Sequence, residues 1–285
     1  MPFVTVEGAR FHYRTSGDGP TDVVFVHGFC QSSLYWEPSL GSLPSSCRGF
    51  ALDLRGFGDS DKPEEPYTLP VLADEVAAFL DALGLNRVAL VGNSMGGVVC
   101  QAFATRHRGR LSKLALLSTG PFVRDPVAAR DRARRFATMA WEREAFSALI
   151  ARFFVRRPDN FEELVDVAMR ASRRAMVEIT LSMASLSFLE ALRGLAVPTL
   201  IVQGAEDTIR PPEEGRLLHE AVEGSRFFVL EGASHTPMLE RPEQLHALLW
   251  DFLATPEGGG SPHQWSSSRE RCCTAGSGTT PDITE

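Results

Sequence analysis

The sequence predicts an α/β fold: a mostly parallel eight-stranded sheet with helices on both faces and a helical cap inserted into it. Three observations carry this reading. Short, wholly apolar runs such as Val23-Val24-Phe25-Val26 and Val88-Ala89-Leu90-Val91 recur along the chain. A strand apolar on both sides is one buried on both faces, as in a parallel sheet. These runs alternate with helical periodicities, the pattern of right-handed βαβ crossovers. Finally, Gly92-Asn93-Ser94-Met95-Gly96-Gly97 joins one such strand directly to a helical stretch.

The elements follow in order. Residues 4–6 and 9–13, joined at Glu7-Gly8, read as an opening β-hairpin. Residues 23–26 form the third strand and Phe50-Ala51-Leu52 the fourth, which ends at Asp53. Leu72, Val76, Phe79, Leu80 and Leu83 keep helical spacing on one face, and Gly84 supplies a C-cap. Residues 88–91 are the fifth strand and lead through Ser94 into a helix over 98–107. Residues 114–117, 199–202 and 226–230 complete the strand series, and Leu245, Leu248, Leu249 and Phe252 form the apolar stripe of a final helix.

Between the sixth and seventh strands, residues 122–195 have a different texture. They are rich in Arg, Phe, Met and Ala at helical spacings and contain no convincing strand. The domain reading is therefore a core of residues 1–120 and 196–254, a helical cap of residues 121–195, and a tail of residues 255–285. The tail, with Gly258-Gly259-Gly260 and Ser266-Ser267-Ser268, has too few apolar residues to offset its ordering entropy and reads as disordered. Residues 122–195 hold 13 arginines against 10 acidic residues, an excess of about three positive charges, which leaves the rest of the chain near −10. Solvated helix faces explain such an excess; the sharper reading is a basic cap that draws anionic substrates to the site.

At 285 residues with 44% hydrophobic and 23% charged content, the chain can bury a large core. A net charge of −7 argues against nucleic acid as a partner of the whole molecule. No apolar run approaches a membrane span, and no leader-like segment precedes the first strand. The five cysteines, at 30, 47, 100, 272 and 273, show no spacing that suggests a disulfide framework or a zinc site. The expectation is a cytoplasmic protein with no metal and no cofactor.

A glycine-flanked serine between a strand and a helix is the layout of a nucleophile elbow, a turn so tight that bulky neighbours would clash. The helix behind it points backbone N–H groups and a positive dipole end at any developing negative charge. A serine hydroxyl needs a neighbouring base. Of seven histidines, only His27 and His235 lie on loops that follow apolar strands, the edge where an open α/β sheet collects its site. His235, between the last strand and the last helix, is the base expected for Ser94. Its carboxylate partner comes from the loop after residues 199–202, where Glu206 and Asp207 compete; neighbours in an extended loop point apart. Asp207, with the shorter side chain, is chosen, and Glu206 is left as a solvated charge. The oxyanion donors are the backbone amides of Met95 and of Phe29, the latter aimed by the turn at Gly28. His27 then fixes its loop by hydrogen bonding, and Cys30 is a small packing or pocket-lining residue.

With His27-Gly28-Phe29, Asp53-Leu54-Arg55-Gly56-Phe57-Gly58-Asp59-Ser60, the Ser94 elbow, the Asp207 loop and the His235 loop in order, the chain resembles the capped, esterase-like α/β-hydrolases from Phe3 to about Leu253. The resemblance implies a Ser94–His235–Asp207 triad, with Asp53-Leu54-Arg55-Gly56 as a structural loop bordering the site. It implies a small-molecule acyl substrate (a carboxylic ester, lactone or thioester) and water as reactants. Serine as nucleophile weighs against haloalkane dehalogenase and epoxide hydrolase chemistry. The Asn93-Ser94-Met95-Gly96-Gly97 wording also occurs in meta-cleavage product C–C hydrolases, but Thr236 stands where those enzymes carry a tryptophan. A cofactor-free perhydrolase and a non-catalytic receptor on the same fold are further alternatives. Phe122, Phe136, Met139, Trp141 and Phe146 of the cap, and Trp36 of the body, are candidates for an apolar acyl pocket, none assigned individually.

Overall fold

The computed structural model describes residues 2–255. The expected tail thus lies, apart from Thr255, outside the described residues, as do Cys272 and Cys273. Eight strands form one sheet: β1 (Phe3–Val6), β2 (Ala9–Ser16), β3 (Thr21–Val26), β4 (Cys47–Leu52), β5 (Val88–Asn93), β6 (Leu111–Leu117), β7 (Thr199–Gly204) and β8 (Arg226–Leu230). Their spatial order is β1-β2-β4-β3-β5-β6-β7-β8. The pairs β1/β2 and β2/β4 are antiparallel and every other pair is parallel. The hairpin turn is Glu7-Gly8 with φ of 50° and 88°, the doubly left-handed turn that matches strand twist. All residues of β5, β6 and β7 are buried, so helices cover both faces of the sheet centre.

The helices are α1 (Glu37–Gly41), α2 (Leu69–Ala82), α3 (Met95–Arg106), α4 (Pro126–Thr138), α5 (Arg143–Ala151), α6 (Phe161–Met169), α7 (Arg173–Ser185), α8 (Leu189–Leu192), α9 (Pro212–Ala221), α10 (Pro237–Glu240) and α11 (Pro242–Ala254). α2 packs on α3, and α1 packs on α10 and α11. The Thr68 hydroxyl caps α2 by accepting from the Val71 amide, and Gly84 follows its end at φ 69°.

Two boundaries differ from the sequence reading for physical reasons. α3 begins at Met95, three residues earlier than the apolar periodicity predicts, because Gly96 and Gly97 carry no periodic signal. Strands β2, β3, β4 and β6 extend beyond their apolar runs, since ladder pairing, such as Ser16 opposite Gly49, also recruits polar residues.

Helices α4 to α8 lie between β6 and β7 and contain no strand, only an isolated bridge between Phe122 and Ser187. α4 packs along α7, and α5 along α6. The segment is fastened to the body by polar bonds. Glu178 accepts from the Tyr67 amide (2.8 Å), the Ser182 hydroxyl from the Leu69 amide (3.0 Å), and Gly56 O from the Ser172 amide (2.7 Å). These bonds place α4 and α7 over the carboxyl edge of the sheet, where β5, β7 and β8 end.

Candidate active site

Ser94 sits between β5 and α3 at φ 52° and ψ −116°. A non-glycine residue there costs about 1–3 kcal/mol and persists only where its surroundings fix it. Three bonds do so: the Ser94 amide donates to Leu117 O (2.9 Å), and Ser94 O accepts from the Val98 amide (3.1 Å) and the Thr119 hydroxyl (2.8 Å). The flanking glycines permit close approach. A Cβ on Gly92 would meet Cys100 Sγ and Gly96 O at 2.6 Å, and one on Gly96 would lie 2.3 Å from Val26 O. The strand end, elbow and helix start are therefore locked together, and the Ser94 side chain faces outward at the sheet edge.

The structure brings Ser94, His235 and Asp207 together although they come from three loops. His235 Nε2 is 2.8 Å from Ser94 Oγ, and His235 Nδ1 is 2.8 Å from Asp207 Oδ2. A carboxylate only accepts, so Nδ1–H donates to Asp207 and Nε2 is left to accept the Ser94 proton. Asp207 Oδ1 accepts from the Ile209 and Arg210 amides, both at 2.9 Å, which fixes the carboxylate plane. All three residues are buried or nearly so, Ser94 retaining 7% exposure. Glu206 is exposed and points the other way, accepting from the Gly232 amide (3.0 Å).

The remaining sequence candidates fall around this line. Phe29 and Met95 both border the cavity that Ser94 and His235 open into. Met95 is the first residue of α3, so its amide has no acceptor within the helix. His27 is fully buried, accepts from the Leu54 amide at Nε2 (3.0 Å) and donates from Nδ1 to Gly28 O (2.8 Å), tying two loops together. Burial lowers its pKa despite the nearby Asp53. Cys30 is buried and absent from the cavity lining, so it packs without bordering the site; burial raises its thiol pKa far above the usual range. Asp53 braces its loop through His12 (2.8 Å) and the Asp59 amide (2.9 Å). Burial pushes its pKa up, but those bonds, the Ser33 amide and His27 together hold it at about 2. His12, Asp53 and Asp59 also bring three potential metal ligands within 4.8 Å, yet the Asp53 oxygens already serve these loop bonds.

The cavity holds about 310 Å³. Of the apolar candidates only Phe136 borders it, its ring 5.3 Å from that of Phe29. Trp36 instead packs on Phe25 of β3, and Trp141 packs on Phe146 while donating to Met169 O. The sequence reading missed several neighbours. Phe153 O accepts from the His235 amide (3.1 Å) and the Thr236 hydroxyl (3.2 Å), binding the inserted helices to the histidine loop. Glu240 accepts from the Val155, Ser234 and Thr236 amides. Burial raises its carboxyl pKa against those three donors. Four arginines, Arg124, Arg132, Arg152 and Arg210, line the cavity. Only the Thr236–Glu240 proximity leaves a local trace in the sequence.

Comparison with known proteins identifies the family of the chain. Residues 22–242 match the family described as the alpha/beta hydrolase fold. The chain is 32% identical over 253 residues to a pimeloyl-[acyl-carrier protein] methyl ester esterase of Aeromonas hydrophila, covering 83% of this chain and 96% of that protein. Among solved structures, the enol-lactonase of Burkholderia xenovorans LB400 superposes with a TM-score of 0.83 at 27% identity, covering 89% and 100% of the two chains. A thermophilic esterase of Thermogutta terrifontis superposes with a TM-score of 0.79 at 28% identity, covering 88% and 97%.

Proposed function

From the premise that this chain belongs to the alpha/beta hydrolase fold family, we propose that it is a serine hydrolase that cleaves a small to medium carboxylic ester, lactone or thioester. The observation that carries the proposal is the unbroken line from Ser94 Oγ through His235 to Asp207, with both contacts at 2.8 Å. Ser94 attacks the substrate carbonyl while His235 Nε2 takes its proton. Asp207 holds the imidazole tautomer and stabilises the imidazolium. The amides of Phe29 and Met95 donate to the developing oxyanion, and the N-terminus of α3 adds its dipole. His235 returns the proton to the leaving oxygen or sulfur, then activates water to release the acid from Ser94.

Residues 121–195 act in this reading as a cap on a core of residues 1–120 and 196–254, and set which acyl chains fit. A volume of about 310 Å³ suits a small ligand. The three relatives described above are named as ester- or lactone-cleaving proteins, which supports the reaction class. Cys30, Cys47 and Cys100 are buried and form no disulfide among the described residues, which fits a reducing compartment, and we assign the chain to the cytoplasm. No helix of the described residues is long and apolar enough to cross a membrane.

A fluorophosphonate probe tests the proposal. Wild type is labelled at Ser94 and hydrolyses p-nitrophenyl butyrate, and Ser94→Ala does neither; an unlabelled wild type overturns it.

A further inference from the structure

We propose that the acyl chain this cavity accepts ends in a carboxylate, held by Arg132 of α4. The inference rests on the serine-hydrolase reading above and specifies its substrate. α4 lays one face over the cavity: Asp125, Ala128, Ala129, Arg132 and Phe136 all line it. That spacing is the stripe an amphipathic helix turns toward its core. On the same helix Arg130, Arg134 and Arg135 are exposed, as solvent-facing arginines should be, whereas Arg132 stands half-buried in the inward stripe. It lies one helical turn from Phe136, about 6 Å along the axis, and Phe136 roofs Phe29 beside the proposed oxyanion amide.

The charges around Arg132 do not balance. Arg124 and Arg210 share a single carboxylate, that of Glu214, at 3.0 and 2.8 Å. Asp125 is committed to the start of α4, where it accepts from the Val127 and Ala128 amides. Among the described residues neither Arg132 nor Arg152 has a carboxylate partner, so the lining carries four guanidiniums against two carboxylates. Burial and the neighbouring Arg210, Arg135 and Arg152 all lower the Arg132 pKa, and no acid among the described residues opposes them. A half-buried cation without a counter-ion is costly. An anion arriving with the substrate removes that cost, and the guanidinium fork matches a carboxylate in two parallel bonds. The ester carbonyl then lies at Ser94 and the terminal carboxylate under α4.

The test is a matched pair: the mono-p-nitrophenyl ester of adipic acid and the p-nitrophenyl ester of adipic acid monoamide, its neutral isostere. Wild type prefers the acid by at least about tenfold in kcat/KM; Arg132→Gln removes most of that preference through KM and leaves the neutral ester within about twofold. Arg152→Gln loses less. Calorimetry with adipate itself reads the site without chemistry, wild type binding and Arg132→Gln failing to bind. Equal treatment of the two esters by a wild type that the fluorophosphonate labels overturns the carboxylate site and leaves the hydrolase reading standing. Survival of the preference in the Arg132→Gln/Arg152→Gln double variant overturns it too. Arg132-dependent adipate binding by a chain the probe does not label keeps the site and overturns the hydrolase reading.

Discussion

Replacing Asp207 by Asn should abolish turnover by reversing a single tautomer. In the structure the two Asp207 oxygens serve different donors. Oδ1 accepts from the Ile209 and Arg210 amides, and Oδ2 from His235 Nδ1. An asparagine has one acceptor, and two backbone donors at 2.9 Å claim it. Its NH2 group then faces His235, which must accept at Nδ1 and carry its proton on Nε2. That proton points at Ser94 Oγ, 2.8 Å away, and the base is gone. By analogy with the same change in serine proteases, kcat falls about 10⁴-fold, or about 5 kcal/mol of transition-state stabilisation. Stability changes far less, by about 1–2 kcal/mol, because charge-assisted bonds become neutral ones. Steady-state hydrolysis of p-nitrophenyl butyrate near neutral pH, beside a thermal melt, separates the two effects. Glu206→Gln, one residue away on the exposed side of the loop, should keep kcat within about threefold, as surface substitutions usually do. If Asp207→Asn retains more than about a tenth of wild-type kcat, or Glu206→Gln loses as much, the assignment of the carboxylate is wrong.

Three other outcomes follow from the packing. Glu240→Gln keeps a single acceptor oxygen, so its NH2 group must face either the Val155 amide or the Ser234 and Thr236 amides, and the His235 loop loosens; stability drops by about 1–3 kcal/mol and kcat about tenfold, measured by melting and initial rates. Gly96→Ala places a Cβ 2.3 Å from Val26 O and 2.5 Å from His27 O, both backbone, and costs about 3 kcal/mol, whereas Gly109→Ala, with nothing within 4 Å, is tolerated; Tm values compare the two. Burial lowers the pKa of His246, which contacts Ser39 and Ser42, to about 4. The folded state therefore binds fewer protons than the unfolded chain between pH 4 and the unfolded value near 6.5. Stability is complete above that range and declines by up to about 3 kcal/mol as pH falls through it, and denaturant melts of His246→Gln should lose that component.

The parts of the fold legible in the sequence were those written locally. An apolar run buried on both faces reveals itself in four residues, as Val23 to Val26 do, and so the strands were found while their polar extensions, such as Arg14-Thr15-Ser16 against β4, were not. The candidate site was legible for a related reason. Ser94, Asp207 and His235 each follow a strand, and strand ends of a parallel sheet converge on one edge whatever the intervening chain does. Phe153 and Glu240 obey no such rule. Phe153 reaches His235 because five inserted helices fold back over the edge; its ring lies 5.3 Å from the imidazole, and the hydrogen bonds it accepts go to a carbonyl oxygen, which every residue has.

Ser94 and Arg132 both break a local rule, and the contrast between them explains why the reaction reads out of this sequence more readily than the substrate. Ser94 holds a left-handed φ that ordinary residues avoid, and the strain demands glycines on either side, so the sequence records it. Arg132 places a charge on the inward stripe of α4, but nothing in the neighbouring residues changes to allow it. Its compensation is absent from the described residues and, in the proposed reading, arrives with the ligand. A count of 13 arginines against 10 acids over residues 122–195 averages that one inward residue with a dozen others. Charge excess is therefore a poor predictor of specificity here. Helical phase is the better one, because the same guanidinium two residues earlier, at Arg130, faces solvent and selects nothing.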